Sequence, residues 1–187
     1  MTAPPSPDPE DLPALTAVLR QLATVVDAQR LVAMTNSLET PWVSPEADSA
    51  RDRWAEADGR ARTGADELRT VADHLDALAT SGHDVPTPPM TWPAQRPHGN
   101  PGPSAPEGVV IVMPEWTAAL AQMWQAGATT IADGLSHVRQ TASAFMSGPP
   151  VSAILERALG PRSNTSLAAE HYREAAGIAA AEATGHL

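Results

Sequence analysis

The stretch from Trp42 to Leu78 constrains the fold more than any other, because it reads as one capped, unbroken helix carrying a continuous seam. The start is written in Trp42-Val43-Ser44-Pro45-Glu46. Ser44 can accept a backbone hydrogen bond as N-cap, and Pro45 fits the first helical position, where a missing N–H leaves nothing unpaired. Glu46 and Asp48 face the positive end of the helix dipole. Beyond them small or apolar residues fall at steps of three and four: Ala47, Ala50, Trp54, Ala57, Ala61, Gly64, Leu68, Val71, Leu75 and Leu78. That is a coiled-coil seam, with Arg, Asp, Glu and Thr on the other faces. Such a helix runs roughly 50 Å and needs its seam buried against something, so the chain is a helix-packing protein.

The flanking sequence supplies a partner helix. Asp11 is a plausible N-cap, and Leu12, Leu15, Leu19, Leu22, Val26 and Ala33 repeat the three-and-four spacing. Gln29 is the one polar residue on that stripe and suits a register-fixing role, while Val18, Val25 and Val32 widen the face. Pro41 disfavours helical geometry at Thr40 and forces a turn before Trp42, so the two helices form an antiparallel hairpin. The second helix frays toward Gly82.

Four segments follow. Residues 1–10 are Pro-rich and read as a disordered tail, 11–82 as the hairpin, 83–107 as an extended Pro-rich linker, and 108–187 as a second set of helices. In the linker, Trp92 reads either as lying loosely on the helical body or as a short docking motif. The run Val109 to Met113 is strand-like in composition. An isolated strand is not stable, so an apolar lead-in to a third helix is the expectation. That helix starts at Pro114 and carries Trp116, Leu120, Met123, Gly127, Ile131, Leu135, Val138, Ala142 and Phe145 on a helical period, with Trp124 flanking the stripe. A short helix spans 151–159, and a last, Ala-rich helix spans about 165–183 with Leu167, Tyr172 and Ile178 as its larger contacts. The fold expected is all-α: a long hairpin, a Pro-rich linker and a second set of helices packed as an elongated bundle.

Composition narrows function by exclusion. The formal charge is −10, and a non-specific nucleic-acid binder needs a basic face. The same sign disfavours anionic membrane surfaces, and no apolar run approaches the ~20 residues of a bilayer span. The first residues lack a basic n-region and an apolar core, so no Sec-type signal peptide is expected. There is no cysteine, hence no thiol chemistry. The six histidines, at 74, 83, 98, 137, 171 and 186, show no ligand spacing, so no metal site is expected. No nucleophile elbow, phosphate loop or dinucleotide fingerprint is present. Asp66, Glu67, Asp73, His74 and His171 are read as solvated polar faces. The expectation is therefore a non-enzyme without cofactor, acting through protein–protein contact.

Trp54 lies on the seam and is expected in the core, as are Trp116 and Trp124. Trp42, at the hairpin tip, reads equally as a hydrophobic lid or as an exposed anchor for a partner, since tryptophan is favoured at hot spots.

The segment Trp42-Val43-Ser44-Pro45-Glu46-Ala47-Asp48, followed by Ala50-Arg51 and by Leu68, Leu75 and Leu78, resembles the WXG100 family, the ESAT-6-like helical hairpins linked to type VII secretion. The resemblance covers about residues 11–82 and rests on a helix, a Trp-x-Gly or Trp-x-Ser-Pro turn, and a long Ala-rich helix. It implies a secreted substrate, a partner in a homodimer or paralogous heterodimer, or an accessory protein, either cytoplasmic or exported by a non-Sec route. Two positions depart from the family pattern. Ser44 stands where the family name has Gly. The family's export signal, a Tyr followed four residues later by Asp or Glu, is not met by the only tyrosine: Ala176 follows Tyr172 at that spacing. The hairpin seam (Leu15, Leu19, Leu22 and Val26 facing Leu68, Val71, Leu75 and Leu78) would pair with a second hairpin, in another copy, in a paralogue, or through the third helix of the same chain. The alternative is a small-ligand or regulatory bundle with a pocket between the third helix and the hairpin, lined by Trp116, Met123 and Trp124.

Overall fold

A computed structural model describes residues 12–81, 86, 108–146 and 151–185. They form five α-helices: α1 (Leu12–Glu39), α2 (Pro45–Ser81), α3 (Pro114–Ala142), α4 (Val151–Leu159) and α5 (Asn164–Ala183), with a 3-10 turn at Ser143–Phe145. No strand occurs among the described residues, and the chain is an all-α bundle. The linker expectation, including Trp92, lies outside the described residues.

The hairpin forms as the sequence reads. Ser44 caps α2 by accepting the Ala47 N–H at 3.0 Å. Every seam residue from Ala47 to Leu75 is buried, and Leu78 is half-buried near the frayed end. Leu15, Leu19, Leu22, Val26 and Ala33 of α1 are buried as well. Arginine–carboxylate pairs flank the hairpin contact. Arg20 reaches Asp73 and Asp76 at 2.7 and 2.8 Å, Arg30 reaches Asp58 at 2.9 Å, and Arg69 pairs with Asp27.

The rest of the chain covers the hairpin. α1 packs on α2 and α3, while α5 packs on α2 and α3. Polar contacts fix the directions. Asn164 meets Glu67, Glu174 meets Arg53, and Glu182 meets Trp42, so α5 runs antiparallel to α2. Trp124 meets Ser37 and Gly134 lies against Leu22, so α3 runs antiparallel to α1. The four long helices thus form a square in which neighbours are antiparallel, with α2 and α3 on one diagonal.

Several positions differ from the sequence expectation. Trp116 was expected in the core but is 51% exposed, because it borders an open cleft between the start of α3 and the end of α1. Val32 is exposed instead of packed. Glu67 and His74, expected on a solvated face, are buried. The reason is that α2 has two buried stripes. α5 covers the side of α2 that carries Glu67 and that composition alone marks as polar, and α4 packs on α2 as well. His171 is largely buried too, held between Glu174 at 3.2 Å and Glu56 at 3.6 Å across the α2–α5 contact. The strand-like run settles as a lead-in that makes a single antiparallel bridge, Val43 with Ile111, closed by two N–H···O bonds of 2.8 Å.

Gly64 explains how α5 can lie so close. A Cβ at that position would meet the Thr165 backbone nitrogen at 2.8 Å, and its Oγ1 nearer still. The Ala-rich face of α5 (Ala168, Ala169, Ala175, Ala176, Ala179) is buried throughout, and Tyr172 fills the space between helices. Burial pushes the Tyr172 phenol above its ordinary range, with Asp58 adding to the effect.

Candidate functional site

The Trp-x-Ser-Pro turn is the most elaborately held part of the molecule. Trp42 is fully buried, so of the two sequence readings the lid describes its position. Its indole Nε1 donates to Glu182 Oε2 at 3.0 Å, and the Ser44 hydroxyl donates to the same oxygen at 2.9 Å. Ser44 therefore acts twice, as cap of α2 and as donor to α5. Bonds to a carboxylate are the stronger kind, on the order of 1.5–3 kcal/mol each where water is excluded. Glu182 lies 140 residues from Trp42 in sequence, which is why no local pattern announces it.

Arg51 completes the turn from below. It is 1% exposed and donates from Nη2 to the Trp42 carbonyl oxygen. Burial holds its guanidinium below the ordinary arginine value, and Asp48 opposes that shift. Val43 is pinned from the other side by the Ile111 bridge. Cap, carboxylate, guanidinium and bridge together fix the turn from α2, α5 and the lead-in to α3.

A second polar group lies lower on the α2–α5 contact. Asn164 Nδ2 donates to Glu67 Oε1 at 2.9 Å, and Arg60 Nη1 donates to Asn164 Oδ1 at 3.1 Å. Burial raises the Glu67 carboxyl above the ordinary carboxylate range, against the opposing effects of Asn164, Arg157 and Arg60. This carboxylate closes a polar network that fixes the register of α5 on α2. Among the described residues no group of three His, Asp or Glu converges as a metal site.

The remaining tryptophans separate. Trp54 is buried on the seam, as expected. Trp124 is fully buried between α1 and α3, where Nε1 donates to Ser37 Oγ at 3.2 Å. Trp116 and half-buried Met123 instead border a surface cleft of about 390 Å³, with Asn36, Glu39, Thr40 and Glu115. Of the three residues expected to line one pocket, Trp116 and Met123 share this cleft and Trp124 takes no part in its wall. A larger groove, about 820 Å³, runs between α3 and α5 past Ala121, Ala126, Ala176, Gly177 and Ala180.

No family model, curated protein or solved structure matches this chain. No described helix is long and apolar enough to cross a membrane.

Sequence reasoning missed Arg51, Glu67, His74 and Glu182. Gly64, placed on a seam of otherwise larger residues, was the one local signal that a backbone approaches there.

Proposed function

We propose that this chain is a non-enzymatic interaction protein of the WXG100 type, associated with type VII secretion, in which the second hairpin is supplied by the chain itself. The observation that carries the reading is the covering of the hairpin seam by α3 and α5, with Glu182 of the last helix bonded to Trp42 and Ser44 of the turn. Of the three ways to bury the seam, this one leaves Leu68, Val71 and Leu75 inside a single chain. They serve packing, and partners would have to use other surfaces.

The WXG100 reading draws on two features. One is the Trp-x-Ser-Pro turn followed by a long Ala-rich helix. The other is that the turn's tryptophan and serine are both engaged in a helix-packing contact, bonded to Glu182. The enzyme class finds no support in the buried acids, which are tied into helix contacts.

The test is export. The full chain is expressed in an actinobacterial host with a working type VII apparatus and in an isogenic strain without one, and its amount in culture filtrate is measured. Apparatus-dependent release that falls with Glu182→Gln supports the reading. Equal amounts in both filtrates, together with no type VII paralogue bound to the purified protein, would refute it.

A further inference from the structure

The hairpin tip carries a surface that the secretion reading does not use. Nine large hydrophobic side chains are more than a third exposed among the described residues, and all but Met146 lie at this end. Leu31, Val32 and Met34 stand on the last third of α1. Val109, Val110, Ile111 and Met113 lie on the lead-in, and Trp116 opens α3. The exposures are large: 60% for Leu31, 64% for Val110 and 51% for Trp116. Large apolar side chains exposed in this number at one end of a bundle mark a candidate binding surface.

The cluster has a built centre. The cleft of about 390 Å³ lies between the end of α1 and the start of α3, with Trp116 and Met123 as its apolar walls. Val32 lies one turn before Asn36 on its α1 side, so of the three exposed α1 side chains it is the one on the face of the cleft. The lead-in is held in place by the Ile111–Val43 bridge, so its apolar residues are presented on a fixed backbone.

Charge selects the occupant. The two ionisable residues in the cleft lining are Glu39 and Glu115, both exposed. No lysine or arginine occurs from Leu31 to Ala50, nor from Gly108 to Val138. The tip thus carries a cleft of mixed polarity, in which Trp116 and Met123 stand beside two exposed acids and no lysine or arginine is among the lining residues. We propose that this cleft docks a segment of a partner protein in which a bulky apolar side chain, seated against Trp116 and Met123, is flanked by arginine or lysine that pairs with Glu39 and Glu115. A second copy of this chain is disfavoured as occupant, because it would bring the same two acids and a formal charge of −10 to the contact. The proposal is independent of the export reading, since it requires only the tip surface.

The test uses the full chain against a phage-displayed library of random dodecapeptides. Synthetic copies of the enriched sequences are then titrated by Trp fluorescence and calorimetry. Enriched peptides should carry an aromatic or large aliphatic residue next to Arg or Lys. Trp116→Ala should weaken binding at least about tenfold, as loss of a central aromatic anchor does. Glu39→Gln with Glu115→Gln should weaken it and flatten its salt dependence. Both sets of side chains are exposed, so circular dichroism should show the fold unchanged. The proposal is overturned if no peptide enriches, if the enriched peptides lack basic residues, or if they bind the variants as tightly as the parent. It is equally overturned if light scattering shows the chain pairing with itself through this surface and Trp116→Ala abolishes that pairing.

Discussion

Gly64 offers the sharpest perturbation of the α2–α5 contact. In an exposed helix interior, Gly→Ala stabilises by about 1 kcal/mol, because alanine loses less backbone entropy. At Gly64 the added methyl would stand 2.8 Å from the Thr165 backbone nitrogen. An ordinary contact needs roughly 3.5 Å or more, so the start of α5 would have to move by about 0.7 Å. Thr165 is fully buried in the first turn of α5, and Ala168 and Ala169 one turn on are also buried, so the shift propagates. Overpacking of this kind costs about 1–3 kcal/mol. Set against the helix gain, Gly64→Ala should lower stability by up to about 2 kcal/mol. Thr165→Ala should relieve it only in part, because the backbone nitrogen remains. Gly177 is the internal control: it lies in α5 with nothing within 4 Å of an added Cβ, so Gly177→Ala should raise stability by up to about 1 kcal/mol. Urea unfolding followed by circular dichroism measures all three. A Gly64→Ala protein as stabilised as Gly177→Ala would refute the close approach of α5 to α2.

Other perturbations test separate parts of the account. Glu182→Ala removes the acceptor of both the Trp42 indole and the Ser44 hydroxyl, and should cost about 1–3 kcal/mol in urea unfolding, whereas an unchanged midpoint would mean the tie carries no stability. Glu67 has its folded pKa raised from its ordinary 4.5; the folded state therefore holds that proton more tightly, and stability falls as pH rises from about 4.5 through the folded value. Glu67→Gln should abolish this fall and keep the Asn164 contact, as read from unfolding midpoints between pH 4 and 7. His74 has its folded pKa lowered from 6.5 by burial, so stability is lost as pH falls below about 6.5, and His74→Gln should lose less between pH 7 and 5. Leu68→Asp places a carboxylate at a fully buried seam position and should abolish the folded state; retained helicity and cooperative unfolding would mean the seam is misassigned.

The sequence was most informative where its physics is local. Ser44, Pro45 and the paired acids define the start of α2, and the steps of three and four locate both hairpin faces. Pro114 marks the start of α3, and Gly160-Pro161 closes α4. What the sequence concealed was contact at long range. Alanines of α5 give almost no hydrophobic period, so a fully engaged face resembles a weak one. Glu67, His74 and Arg51 look solvated by residue type; the arrival of α5 makes Glu67 interior and the turn does the same for Arg51. Trp116 errs the other way. It lies in phase with the stripe of α3, but at that end of the helix a cleft separates it from the end of α1, and periodicity cannot say where two helices part. The Glu182 contact joins residues 140 apart, beyond the reach of any local motif.

The central claim is that one chain buries its own hairpin seam. Light scattering on the full-length protein after gel filtration, with circular dichroism on the same fractions, tests it most directly. The account predicts a folded, strongly helical monomer of 19.6 kDa across a hundredfold range of concentration. A chain that is helical only as a dimer, and loses its helicity as it dissociates on dilution, would contradict it.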